Sequence, residues 1–438
     1  MNCQVGWPGS SRQASPRNDF LSSPFWAVGA LAVCLHSLAV SAEEKPLAGA
    51  VLTRDAAWDS AFTRTSGWTG GDVAGSIDLG DGRTLWLFGD SWIGDVSAGR
   101  HAPGSRLVNN SLAVHVHPHD KPEAAPEPGG LNFCWGRPDS PGRATAWIVP
   151  DRKKTSSDAA NAQNDWYWPT GGGIVVPGPD NTRRLILFLY RVRKGDRPGT
   201  AMNFQVVGTT MAVVDNAADT VEKWRTRQMD VAVNGPDGGP RNDRSKDVIQ
   251  WGMAACTRTG AKAGRNDYVY VFGVRSGAPL NRRLVVARVS ADHVERFDAW
   301  ECYAGDERWS HQPADAKAIA DGMVSEFSVE RFQNNGRWEF LLVQSEPLFG
   351  ARILARTAPR PEGPWSGPVA VHSVSEIENK PSLFTYAAKG HVHLSRRGEV
   401  LVTYIVNSHK FSELVNDATL YRPRFVRVPL PHATTATP

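Results

Sequence analysis

Trp68-Thr-Gly-Gly-Asp72-Val-Ala-Gly-Ser-Ile-Asp-Leu79, Gly80-Asp81-Gly82 and Arg83-Thr-Leu-Trp-Leu-Phe-Gly-Asp90 run as one stretch. Asp81-Gly82 is a strong hairpin signal, because tight turns need a positive φ that Gly takes freely and Asp tolerates. Both flanks alternate well enough to be strands. A turn centred on Asp81 sets residue 72 opposite residue 90. That register groups Val73, Ile77 and Leu79 with Leu85 and Leu87 on a cleanly apolar face. It groups Asp72, Ala74 and Ser76 with Trp86, Phe88 and Asp90 on the other. A two-residue Asp81-Gly82 loop would slip the pairing by one and send the acids to opposite faces; the clean apolar group favours the first register. Directly opposed Cβ atoms lie roughly 4.5–5.5 Å apart. Two carboxylates held that close at the open end of a hairpin suit acid/base or glycosidic chemistry. Either aspartate alone would read as a turn or strand-end residue bonded to backbone amides.

Outward from the hairpin, short β-rich runs follow: 110–117, 171–176, 184–190, 209–214, 251–256, 268–272, 284–289, 326–332, 338–344, 353–356, 391–395, 399–404 and 425–428. The same strand–turn–strand–loop–strand cassette recurs about five times, at a spacing of roughly 70–80 residues, as in radially arranged sheets. The expected fold is an all-β β-propeller, with a pair of β-sandwiches as the runner-up. Polar stretches at 121–128 and 153–164 read as surface insertions, so loop insertions are expected near 118–165 within one domain spanning 43–438.

Strand starts in a propeller collect at one rim of the channel. They are Trp68 and Asp72, Trp168 and Thr170, Gln250 and Trp251, Ser325 and Glu326, and Lys389 and His391. Acids, an amide, a cation and aromatic faces at one rim make a carbohydrate pocket by chemistry. Packing or strand capping is the alternative for each residue taken singly.

Composition narrows the partners. The chain has 438 residues, 41% hydrophobic and 21% charged, an ordinary soluble balance. A net charge of +4 without clustered Lys or Arg gives no support for nucleic-acid binding. The 16 tryptophans are many for this length, which suggests either blade packing, the default for most of them, or flat faces for sugar rings. Arg12 and Arg17 precede an apolar run, Phe25–Val40, and Val40-Ser-Ala42 has a cleavable small-residue pattern. Residues 1–42 thus read as a signal peptide, and the chain as secreted or periplasmic, outside the membrane after cleavage, and monomeric. Cys134, Cys256 and Cys302 remain beyond the leader, allowing one disulfide or none. Without Cys-x-x-Cys no structural zinc site is expected, and no cofactor or metal is assigned. His115 and His117 alternate with Val and read as structural. His391 and His393 share a face, which could bring one ring toward a channel ion.

Trp-Thr-Gly-Gly-Asp72, the run Asp81–Gly94 and Asn109-Asn-Ser-Leu-Ala-Val114 resemble the first blade of a secreted propeller family long classed as of unknown function. Some of its relatives are bacterial endo-D-arabinanases, which cut the furanose arabinan of mycobacterial walls. Trp166-Tyr-Trp-Pro169, Gly363-Pro-Trp365, Ala387-Ala-Lys-Gly-His391 and Tyr421-Arg-Pro-Arg-Phe425 look like further family elements. The resemblance spans roughly residues 60–430. It implies a five-bladed β-propeller with Asp72 and Asp90 as the catalytic pair. Ser91 stands where relatives carry Thr, a mild departure.

The expected activity is hydrolysis of a furanose-containing, arabinan-like polysaccharide or oligosaccharide. A non-catalytic glycan-binding propeller is the competing reading; a lyase or phosphodiesterase lacks metal-ligand spacing. Asp90, beside Trp92 and Phe88, is in drier company and is the better proton donor. Asp72, flanked by glycines, has more amides nearby to hold a charge. Directly opposed partners lean toward retention of configuration. Glu326 is a spare acid that could orient a hydroxyl, tune the pair or replace one member. Asn109, Asn110, Gln250, Lys389, His391 and Arg424 are candidate hydroxyl contacts, and Trp68, Trp168 and Trp251 candidate stacking faces.

Overall fold

The first hairpin pairs Gly75–Asp78 with Arg83–Phe88, Ser76 opposite Trp86 and Ile77 opposite Leu85. That is the register centred on Asp81. The ladder does not run unbroken to the acids. Val73 and Ala74 take left-handed φ values of 66° and 44°, which interrupts it. Pairing resumes beyond them in a small sheet of Trp68–Gly71, Ser91–Ile93 and Arg106–Val108, with Gly71 opposite Ser91. Asp72 and Asp90 sit at the joint between the two ladders, where the Asp72 amide donates to the Asp90 carbonyl at 3.3 Å.

This computed structural model describes residues 54–430, apart from 119–120, 128, 140–141, 152–163, 180–181, 196–202, 232–247, 259–262, 265–266, 277–280 and 335. The leader at 1–42 lies outside the described residues. The chain is all-β. Among the described residues five antiparallel meanders follow one another with neighbouring strands in chain order, save that Ala320–Asp321 pairs back onto Arg282–Ser290 in the third. Their first strands are Gly75–Asp78, Trp166–Pro177, Val248–Thr257, Phe327–Asn334 and Leu383–Gly390. Each first strand lies beside the next. The fifth is tied back to the first, where His391 Nδ1 meets Ser76 Oγ at 2.6 Å.

Two expectations change. The run 391–395 is no strand: Val392–Leu394 forms a turn of 3₁₀ helix, and the fifth sheet opens earlier, at Leu383. Within the region read as loop insertion, Leu131–Cys134 forms the fourth strand of the first sheet. Cys134, Cys256 and Cys302 are buried and no disulfide joins them, one of the two alternatives their number allowed.

Each sheet is apolar on both faces because its neighbours pack on both sides. Ile174, Ile186 and Phe188 of the second sheet pack against Ile249, Trp251 and Val271 of the third. Leu185, Leu187 and Leu189, on the opposite face, pack against Ile77, Leu85 and Leu87 of the first. Neighbouring sheets approach so closely that side chains are excluded at some points. Gly252, at φ 86°, leaves no room for a Cβ against the Phe188 ring. Ahead of the first sheet, a six-residue helix, Ala56–Ala61, is capped by Asp55, whose carboxylate accepts from the Trp58 amide. It wedges Trp58 and Phe62 between the first sheet (Trp86, Phe88) and the fifth (Phe425, Ile405).

Candidate active site

Phe88-Gly-Asp90 divides its labour residue by residue. Phe88 is buried among Phe62, Trp68 and Phe133. Gly89 gives clearance, since a Cβ there would collide with Asp72 Oδ1. Asp90 Oδ1 accepts from the Trp168 indole N–H at 2.8 Å and from Asn109 Nδ2 at 3.3 Å. Both donors fall on one oxygen. Burial first, and the charge of Asp72 second, push the Asp90 carboxyl up to about 7.

Asp72 is held differently. Its Oδ2 accepts from the hydroxyls of Tyr386 at 2.6 Å and Tyr421 at 2.7 Å. Its Oδ1 is buried and has no hydrogen-bond partner among the described residues. Burial raises its pKa, while the two tyrosine hydroxyls and the charge of Lys389 pull it back. The two phenols and Lys389 favour the charged form of Asp72, and that charge is the second cause of the rise at Asp90.

Glu326 and Lys389 complete the polar cluster. Glu326 Oε2 lies 3.7 Å from Lys389 Nζ. Burial lifts Glu326 to about 7, opposed by Lys389 and reinforced by Asp72. Burial lowers the Lys389 pKa against the pull of both acids. The site thus gathers three carboxyls with one ammonium. Gln250 stands beside it, accepting from the Tyr190 hydroxyl at 3.3 Å, and Tyr190 also reaches the Ser325 carbonyl at 3.4 Å.

Of the residues named from the sequence, Asp72, Asp90, Asn109, Trp168, Gln250, Glu326 and Lys389 therefore come together. Lys389 is almost wholly buried, so it faces the acids rather than an open pocket. The others are corrections. Trp68 is fully buried and stacks on Phe133 at 4.4 Å, while Trp251 packs against Trp300, so neither offers a face to a sugar. Asn110 is buried; its Nδ2 donates to the Ile148 and Tyr167 carbonyls and its Oδ1 accepts from the Ile148 amide, stapling a loop. His391 is buried between Ser76 and Thr403 against the Trp86 ring. Arg424 lies against Glu376, 3.4 Å away. Among the described residues no group of three His, Cys, Asp or Glu side chains is placed to hold a metal ion.

Tyr386 and Tyr421 are the site residues the sequence reading missed. Tyr421 lay inside a motif carried by the resemblance, and Tyr386 follows Phe384 at strand spacing, the one signal that could have found it.

The profile of a family described as a domain of unknown function, DUF5005, matches residues 55–430. No curated protein matches the chain. Among solved structures, a protein from Bacteroides ovatus provisionally named a hydrolase superposes with a TM-score of 0.61 at 19% identity. The match covers 86% of this chain and 89% of that one, and it shows a shared fold. More distant are a GH43 β-1,3-galactosidase (TM-score 0.42, 10% identity, covering 86% and 97%) and an α-L-arabinofuranosidase from Podospora anserina, solved with cellotriose (0.39, 10%, 84% and 92%).

Proposed function

This chain belongs to the DUF5005 family, and we propose that it is a secreted glycoside hydrolase whose five meanders are the blades of a propeller. The observation that carries the reading is that two neighbouring aspartates are held by different donors, Asp72 Oδ2 by the Tyr386 and Tyr421 hydroxyls and Asp90 Oδ1 by Trp168 and Asn109. The phenols favour charge on Asp72, while burial and that charge raise Asp90 to about 7. Such a split assigns an acid and a base without a metal.

Asp90 gives its proton to the leaving glycosidic oxygen as the C–O bond breaks. Its two hydrogen-bond donors occupy Oδ1, which leaves Oδ2 to carry that proton. Asp72, ionised, supplies the electron pair at the anomeric carbon, directly or through a water that it deprotonates; the configuration of the product tells these apart. The charge of Lys389 favours ionised Asp72, and the charge of Asp72 in turn helps keep Glu326 protonated. The arabinan-like substrate rests on the resemblance of the first-hairpin motifs to a propeller family some of whose relatives are endo-D-arabinanases. Export rests on the apolar run ending at Val40-Ser-Ala42.

The test is release of reducing ends from soluble arabinans and other furanose-containing glycans. The unmodified protein should cleave at least one, and Asp72→Asn and Asp90→Asn should each lose at least about a thousandfold in kcat with binding kept. Binding without turnover in the unmodified protein would favour a lectin-like role instead.

A further inference from the structure

Beyond Asp72 the rim continues as a line of rings. The Tyr386 ring, whose hydroxyl holds Asp72, lies 5.7 Å from Phe384. Phe384 lies 4.7 Å from Phe349 and stacks on His409 at 4.5 Å with planes 26° apart. Phe384 and Tyr386 alternate along one strand and so share a face. Phe349 comes from the fourth sheet, on the loop between Arg337–Ser345 and Arg352–Ala358. The line therefore bridges the fourth and fifth sheets and ends at an acid of the candidate pair.

The loop bearing Phe349 is tied down. The Glu346 amide donates to the Arg352 carbonyl at 2.8 Å, the Arg352 amide returns to Glu346 Oε2 at 3.1 Å, and the Val374 amide donates to the Ala351 carbonyl at 2.8 Å. Within it Leu348 and Phe349 both take left-handed φ values, 61° and 60°, which bulky residues avoid. The outcome of that strain is two apolar side chains facing water, Leu348 at 72% and Phe349 at 45% exposure. Folding gains nothing from such an arrangement; strain of this kind concentrates where a ligand is gripped. Polar groups flank the rings, with His409 exposed and Asn407 Nδ2 donating to the Tyr386 hydroxyl at 3.3 Å. Flat rings edged by amide and imidazole groups match a sugar, whose C–H face is apolar and whose rim is hydroxylic.

We infer that Phe349, Phe384 and His409, continued by Tyr386, form a distal subsite that holds residues of a glycan chain beyond the bond placed at Asp72 and Asp90. The inference rests on the glycoside hydrolase reading and adds that the substrate is a polymer rather than a small glycoside.

Electrophoresis of the full chain in native gels containing a panel of soluble arabinans, arabinogalactan and xylan reads binding apart from turnover. At least one polysaccharide should retard the unmodified protein. Asp72→Asn should be retarded equally, and Phe349→Ala should bind about tenfold more weakly at an unchanged melting temperature. Phe349→Ala should also lose more kcat/KM on the polymer than on its shortest cleaved oligosaccharide. Retardation of Phe349→Ala equal to that of the unmodified protein, or none by any polysaccharide, would overturn the subsite. So would a dimer that disappears with Phe349→Ala in size-exclusion chromatography, since a second copy would then be the occupant. If Asp72→Asn keeps full turnover while retardation still depends on Phe349, the acid-pair mechanism falls and the glycan subsite stands.

Discussion

Asp72 depends on two phenols that arrive from the far end of the chain. A hydrogen bond to a carboxylate favours its charged form, so removing one raises the pKa. Tyr386→Phe and Tyr421→Phe should each lower kcat/KM about tenfold, the scale of a hydrogen bond to a charged group. They should also move the acidic limb of the pH profile upward, because Asp72 would then lose its proton only at higher pH. Unchanged profiles would show that the phenols only pack. The two acids were legible because a hairpin's arithmetic is local: fixing the turn at Asp81 fixes what lies opposite residue 72. The tyrosines were not, since no local pattern says which distant strand closes over Asp72. The tryptophans misled for a related reason. Trp68 and Trp251 sit in strands packed on both sides, where alternation no longer separates an inside from an outside.

Breaks in the first strands set the shape of the site more than the strands do. Left-handed residues interrupt four of them or their entries, at Val73 and Ala74, Gly171, Gly252 and Ala387. Two of the four are glycines, as backbone strain and close approach require. Gly252→Ala would force a strained φ and drive a methyl into the Phe188 ring, so we expect a loss of roughly 2–4 kcal/mol in denaturant unfolding. A loss below about 1 kcal/mol would mean that the bulge adapts. The Val73-Ala74 and Ala387 breaks carry no glycine to announce them. Pairing resumes at Lys389 after the break at Ala387, but the strand ends at Gly390 and a 3₁₀ turn follows, so the alternation of His391-Val-His393 imitates a strand that is absent. Misplacing that start by several residues is what hid Phe384 and Tyr386.

At the scale of the molecule, five meanders hold the site acids only if the last is fastened to the first. The fastening is a seam. Asp55 donates its amide to the Phe425 carbonyl at 2.8 Å and takes Arg427 at 2.7 Å, while Trp58 stacks on Phe425 and packs against Trp86. Trp58 is fully buried there, so Trp58→Ala should cost about 3–5 kcal/mol. A melting temperature unchanged by that substitution would show that the seam is not needed. The recurring strand cassette made the all-β architecture legible in the sequence, whereas the seam was not, because Ala56–Ala61 is too short to show a helical period. The seam matters to the chemistry because Asp72 and Asp90 sit where the first sheet meets the small sheet beside it, while Tyr386 and Tyr421 come with the fifth. The most direct test of the split between the two aspartates is the pH dependence of kcat/KM on a cleaved polysaccharide. Activity should fall as pH rises through about 7, where Asp90 loses the proton it must donate, and the residual activity of Asp90→Asn should show no such fall. An alkaline limb unchanged in Asp90→Asn would contradict the assignment of Asp90 as the acid.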